Sequence, residues 1–479
     1  MSKKIRGNHL LDIGYKQGKP IGVAVDISKK LLKRHTVEEV LEMLKNVLED
    51  PKAYIDDELL GAVAITMIED EKPKLIQLLD EPIPYNVYGR DGIEDQAFDQ
   101  MDVAMSLPIT KAGALMPDAH FGYGLPIGGV LAADNAVIPF GVGVDIGCRM
   151  CMTLYDMGDN NYVERNKSKL KRALQDNTRF GMMEVHDNPI DHELFERSEF
   201  KDIPLIKNLK DKAHRQIGTS GGGNHFVEFG TVDILVENKL GVKPGKYVAV
   251  LSHSGSRGFG AQIADYYTKL AIKMTPLPKH AQHLAWLDLG TQEGMEYWLA
   301  MNLALDYASA NHHDIHRRIQ KYLGAEPITT IENHHNFAAK EIHNGVEYVV
   351  HRKGATPAGD EEYGIIPGTM ADYGYIVKGL GNPDSLMSAS HGAGRIMSRK
   401  QAKQSFTPSY MKKYLKDNGI VLVGGGLDEI PFAYKKIDEV MESQKELVEK
   451  IGRFSPVVVR MADDQPKKWE KVKKKNLKT

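Results

Sequence analysis

From Pro82 onward the sequence becomes a series of short apolar runs cut by glycine and proline, and this texture limits what the chain can fold into. Met116-Pro117-Asp118-Ala119-His120-Phe121-Gly122-Tyr123-Gly124 leads through a strand-like segment to Gly141-Val142-Gly143-Val144-Asp145-Ile146-Gly147-Cys148-Arg149. Such glycine density permits tight turns and close backbone approach, which suits a site built from loops on a sheet scaffold and poorly fits a helical bundle. The densest stretch is Gly218-Thr219-Ser220-Gly221-Gly222-Gly223-Asn224-His225-Phe226-Val227-Glu228. Its glycines leave backbone N–H groups open to a phosphate. If a strand starts at Asn224, alternation puts Asn224, Phe226 and Glu228 on one face and His225 with Val227 on the other. The run reads as phosphate cradle, metal ligand and purine-edge acceptor, or more plainly as a glycine-rich turn followed by a structural histidine.

The flanking sequence divides into three parts. Residues 1–80 read as a helical extension: Thr36-Val37-Glu38-Glu39 is a capping box, the apolar residues behind it keep helical spacing as far as Pro51, and a second helix is expected from Asp56 to Ile68. Residues 81–461 form the main domain. Within it the pattern predicts a basic, exposed helix over Val163 to Leu174, an irregular polar insertion from Asn177 to Asp202, and strands over Tyr247 to Ser252 and Val346 to His351. Helices are expected over Ala261 to Met274, Gln292 to Tyr322 and Tyr434 to Ile451, and a last strand over Ser455 to Met461. Residues 462–479 are a lysine-rich tail, expected to be solvated.

Composition narrows the partners. A net charge of −2 over 479 residues gives no global attraction for nucleic acid, so such a site must be a local basic patch. Only two cysteines, Cys148 and Cys151, rule out a disulfide framework and fit a reducing cytoplasm. No apolar segment has the length of a signal peptide or a membrane span.

Residues able to bind a metal or act as a nucleophile sit beside glycines or at strand ends: Asp145, Cys148, His225, His253, His335 and His391. A mixed thiolate, carboxylate and imidazole set suits a divalent transition metal such as zinc or manganese. Cys148-Arg149-Met150-Cys151 has redox C-x-x-C spacing but lacks a thioredoxin-like βαβ frame, so a ligand role for Cys148 is favoured. His312, His313 and His316 have helical spacing in a polar helix and are read as solvated or structural.

Seven motifs then carry a resemblance. Pro117-Asp118-Ala119-His120, Asp145-Ile146-Gly147-Cys148, Gly222-Gly223-Asn224-His225 with Glu228, Ser252-His253-Ser254-Gly255-Ser256-Arg257-Gly258, His335-Asn336, Arg352-Lys353-Gly354-Ala355 and Ser390-His391-Gly392-Ala393-Gly394-Arg395 occur in the order seen in the RtcB family of RNA ligases. The chain resembles that family from Pro82 to Met461. The resemblance implies a mixed α/β fold, with one large catalytic domain of β-sheets flanked by helices. It also implies a GTP- and manganese-dependent ligase that joins an RNA 3′-phosphate or 2′,3′-cyclic phosphate end to a 5′-hydroxyl end.

By the same resemblance His391 is the nucleophile that carries GMP, with Asp118 and Arg395 in the catalytic set. Asp145, Cys148, His225, His253 and His335 match the family's metal ligands, for two manganese ions. Asn224, Thr369, Gly392, Gly394 and Tyr434 match nucleotide contacts, and Glu228 would accept from guanine's adjacent N–H donors. Arg395 and Arg399 suit bidentate phosphate contacts.

The chain also departs from the family pattern. Pro367-Gly368-Thr369-Met370-Ala371-Asp372-Tyr373-Gly374 stands where the family has a more hydroxyl-rich loop, and a long lysine tail replaces a short lysine-containing end. A metal-dependent phosphohydrolase acting on cyclic or terminal RNA phosphates is the alternative that these departures favour. A non-catalytic RNA or nucleotide binder is the third reading, and the retained nucleophile beside a metal set speaks against it.

Overall fold

A computed structural model describes residues 4–70 and 75–463, so all but the first two residues of the expected lysine-rich tail lie outside the described part. The chain divides into two compact units, residues 1–75 and the residues from Ile76 onward.

The first unit is helical. Thr36 and Glu39 close the capping box reciprocally, with the Thr36 amide on the Glu39 carboxylate at 2.8 Å and the Glu39 amide on the Thr36 hydroxyl at 3.3 Å. The helix Val37–Glu49 that follows buries Val40, Leu44 and Val47 in a core shared with Leu10, Ala24 and Leu31. The sequence reading missed two other helices, Gly7–Asp12 and Lys19–Leu31. The helix expected from Asp56 starts later, at Gly61. Asp57 Oδ1 accepts from the amides of Leu59 and Leu60, and that local turn holds the chain out of the helix until Gly61.

The second unit is built on two larger sheets. In the eight-stranded sheet, neighbours run Tyr363–Ile366, Gly374–Gly379, Val448–Asp463, Phe226–Ile234, Gly245–Ser254, Arg149–Tyr155 and Thr329–His334, with Val421–Gly425 parallel beside Val448–Asp463. Its two ends approach each other. The Asn333 side chain, on the last strand, accepts from the Ile365 amide at 2.8 Å and donates to the Ile365 carbonyl at 3.2 Å on the first. One amide thereby bridges the gap in a nearly closed sheet. The five-stranded sheet runs Asn86–Val87, Thr110–His120, Ile127–Ala133, Val346–Lys353, Asn336–His343. Helices flank the strands: Leu170, Leu174, Ile315 and Ile319 pack on Val227, Phe229, Val248 and Val250.

Three local expectations change. The helix expected over Tyr434 to Ile451 is confined to Ile437–Glu442, and from Val448 the chain is strand. Val448–Asp463 pairs with Gly374–Gly379 on one side and Phe226–Ile234 on the other, and that ladder outweighs the helical spacing of its apolar residues. The insertion from Asn177 to Asp202 is anchored, because Leu194, Phe195 and Phe200 are buried, with the Phe195 and Phe200 rings 5.6 Å apart. The basic helix, Lys167–Asn177, buries one face through Leu170, Ala173 and Leu174. Of the three helical histidines only His313 is exposed, while His312 and His316 are buried. Among the described residues no helix is long and apolar enough to cross a membrane.

Candidate active site

Strand register gathers the predicted residues. Arg149 pairs with Ser254 and with His334, and Phe226 pairs with His253. Cys148, His225 and His335 each sit one residue beyond the end of a strand in this ladder, so with His253 they meet at one edge. His253 Nε2 lies 3.1 Å from Cys148 Sγ and 3.3 Å from His335 Nε2. His225 Nε2 is 3.4 Å from Cys148 Sγ and 2.9 Å from Asp145 Oδ2. Gly255 makes room for that carboxylate, since a Cβ there would stand 2.3 Å from both Asp145 oxygens.

Electrostatics favour ligand-ready nitrogens. Burial, helped by the neighbouring His225 and His391, pulls His253 down to about 3, and burial holds His335 well below the ordinary histidine range. Burial and the Asp145 charge push the Cys148 thiol up. Burial also acts to raise Asp145, but the hydrogen bond and charge of His225 outweigh it and the net direction is down. His253 Nδ1 donates to the Asn224 carbonyl at 3.0 Å, so its Nε2 carries the lone pair that faces Cys148. The Nδ1 atoms of His225 and His335 are buried, and among the described residues they have no hydrogen-bond partner. Cys148 and Cys151 are both buried free thiols.

His391 stands beside this cluster, its ring 4.9 Å from that of His335. Its Nδ1 lies 2.6 Å from Asp118 Oδ2, which also accepts the amides of His391 and Gly392. Asp118 is fully buried; burial would raise its carboxyl, but the charge of His391 and its hydrogen bond bring it below the ordinary range. Gly394, at φ +72°, is obligatory, because a Cβ would meet the Asp118 carbonyl at 2.2 Å.

A cleft of about 790 Å³ opens in front of His391 and is lined by Asn224, Phe226, Glu228, Thr369, Gly392, Gly394, Arg395 and Tyr434. The expected alternation holds here: Asn224, Phe226 and Glu228 face the cleft while Val227 enters the core. Burial pushes the Glu228 carboxyl well up, and among the described residues it has no hydrogen-bond partner in the protein. The Thr369 hydroxyl donates to Asp372 at 2.9 Å, and both residues line the cleft. Arg395 stacks 4.8 Å over the Tyr434 ring and donates to its hydroxyl at 2.9 Å.

The sequence reading did not single out Glu429. Its buried carboxylate accepts from Tyr434 and pairs with Arg395 at 3.3 Å and Arg399 at 3.3 Å. The one sequence signal for it is the run Gly424-Gly425-Gly426-Leu427-Asp428-Glu429, another carboxylate placed behind glycines.

Residues 100–462 match the profile of the family described as tRNA-splicing ligase RtcB. The chain is 33% identical to the RNA-splicing ligase RtcB of Escherichia coli K12 over 398 residues, covering 76% of this chain and 94% of that one. It is 33% identical over 456 residues to the tRNA-splicing ligase RtcB of Nanoarchaeum equitans, covering 79% of this chain and 95% of its relative. With the RNA-splicing ligase RtcB of Mycobacterium tuberculosis it shares 30% identity over 426 residues, 74% of this chain and 98% of the other. The matched residues include Asp118, His391 and the cluster of Asp145, Cys148, His225, His253 and His335, and the chain belongs to the RtcB family.

Proposed function

We propose that the chain is an RNA ligase that uses GTP and manganese to join an RNA 3′-phosphate or 2′,3′-cyclic phosphate end to a 5′-hydroxyl end, in a reducing cytoplasm. The observation that carries this reading is the Asp118–His391 pair beside the cluster of Cys148, His225, His253 and His335, with His391 and His253 on the wall of the cleft. The family relatives named as RNA- and tRNA-splicing ligases support the reaction class.

Asp145, Cys148, His225, His253 and His335 would hold the metal, as two ions. The donor set fits: the His253 Nε2 lone pair faces the Cys148 thiol and a His335 nitrogen at close range, an arrangement that a cation resolves. Manganese, when bound, would set positive charge against the triphosphate and the departing pyrophosphate. In the first step His391 Nε2 attacks the α-phosphorus of GTP; the N–P bond forms as the P–O bond to pyrophosphate breaks. Asp118 keeps the Nδ1 proton and offsets the charge that the ring gains. Glu228, on the cleft wall, takes the two adjacent N–H donors of guanine, while Asn224, Thr369, Gly392 and Gly394 line the path of the phosphates and ribose. Tyr434 shapes the wall together with Arg395, whose charge is shared with Glu429. Any cyclic phosphate is opened to a 3′-phosphate, GMP passes from His391 to that phosphate, and the 5′-hydroxyl displaces GMP.

End-labelled RNA tests this reading. His391→Ala is expected to abolish joining. The phosphohydrolase alternative, favoured by the Asp372 carboxylate in the cleft, requires phosphate release to survive that substitution.

A further inference from the structure

We propose that Cys151, His312 and His316 form a second metal site, a buried structural site of zinc type on the other face of the sheet from His253. Their donor atoms all lie within 4.8 Å of one another, and all three residues are buried. The elements that carry them are rigid. Cys151 lies within the strand Arg149–Tyr155, and the two histidines sit four residues apart, one helical turn, inside the helix Gln292–Leu323. Ser252 and Ser254 alternate with His253 on their strand, so the side that they present to the helix is not the side of the active-site cluster.

The orientation of each ring is what a ligand needs. His312 Nε2 donates to the Ser254 carbonyl at 3.1 Å, which leaves Nδ1 as the nitrogen with the free lone pair. His316 Nδ1 lies 2.8 Å from the Thr153 hydroxyl, an oxygen that can accept its proton when a metal sits at Nε2. Those two remaining nitrogens converge: each lies against Ser252 Oγ, at 2.6 and 2.7 Å. A metal-binding histidine characteristically has its remote nitrogen held by a carbonyl or another oxygen partner, and here both remote nitrogens have one, the Ser254 carbonyl and the Thr153 hydroxyl.

The donor types choose the ion. One sulfur and two imidazoles suit tetrahedral zinc and not manganese, and the Ser252 oxygen at the point of convergence stands as the fourth donor. The Cys151 thiol would give its proton to solvent as the metal–sulfur bond forms. This inference does not rest on the ligase reading.

The chain has two cysteines, so in a Cys148→Ser protein any metal–thiolate bond must be to Cys151. Cobalt(II) added to that protein, untagged, as a probe for zinc is expected to give a thiolate-to-cobalt absorption band that saturates at one equivalent. Adding Cys151→Ser should remove it. In the chain with Cys148 intact, Cys151→Ser should lower the zinc retained after chelator dialysis by one equivalent per chain, read by elemental mass spectrometry. Circular dichroism reports whether each variant has folded, and if Cys148→Ser does not, the zinc count on Cys151→Ser decides alone. Absence of the cobalt band in folded Cys148→Ser protein, or an unchanged zinc count in Cys151→Ser, would overturn the proposal and leave a hydrogen-bonded core cluster.

Discussion

His391 Nδ1 and Asp118 Oδ2 lie 2.6 Å apart, and the same carboxylate oxygen accepts the backbone amides of His391 and Gly392. One oxygen thus fixes the position, the rotamer and the tautomer of the ring, and leaves Nε2 as the nitrogen that attacks in the proposed reaction. Asp118→Asn keeps the shape but places an N–H or a weak acceptor against Nδ1. Guanylylation of His391, followed with labelled GTP, is expected to slow by about 10³-fold or more, as when a carboxylate that sets an imidazole's tautomer is lost. A change under tenfold would remove Asp118 from the catalytic set.

Glu228 supplies a pH signature. Burial pushes its carboxyl well above the usual range, so it keeps its proton to higher pH than an ordinary carboxyl group does. Accepting two N–H bonds from guanine requires the carboxylate, so GTP binding must expel a proton. Affinity for GTP should therefore rise with pH, and Glu228→Gln should flatten the profile and cut the preference for GTP over ATP by about 10²-fold or more. Equal slopes in the two proteins would contradict the assignment.

Cys148 lies within 3.4 Å of two histidine nitrogens, and removing its sulfur takes away the shared neighbour of His225 and His253. Cys148→Ala should weaken manganese binding by at least about 100-fold and abolish guanylylation at ordinary metal concentrations. Calorimetric titration with manganese reads this directly; unchanged binding would exclude Cys148 from the site.

Asn333 makes a prediction about stability. Its side chain holds Ile365 through both backbone groups and also donates to the Thr356 hydroxyl at 2.8 Å. Asn333→Ala would leave buried backbone groups at the sheet gap without partners, at a cost of about 2–4 kcal/mol. Urea unfolding should show the midpoint fall while the metal count of the folded protein stays the same.

Much of the site was legible because its chemistry sits next to glycine. Asp145, Cys148, His225, His253 and His391 each stand within a few residues of a glycine whose missing side chain another group occupies, as at Gly255 and Gly394, whereas His335 is read from its place at a strand end. What could not be read was register. Nothing local says that Phe226 pairs with His253 or that Arg149 pairs with both Ser254 and His334, and it is this pairing that brings the cluster together. The same blindness explains Cys151, whose neighbours His312 and His316 lie more than 150 positions along the chain. It also explains the strand Val448–Asp463, where two partner strands decide against helical spacing. Leu194, Phe195 and Phe200 show the converse error, since a polar composition concealed three anchors that fill the core.

The central claim is that His391 becomes covalently attached to GMP, and intact-mass analysis tests it most directly. The native protein and His391→Ala are incubated with GTP and manganese and weighed. A GMP-sized increase in the native protein alone is the predicted result. No adduct under any divalent metal, or an equal adduct on His391→Ala, would contradict it.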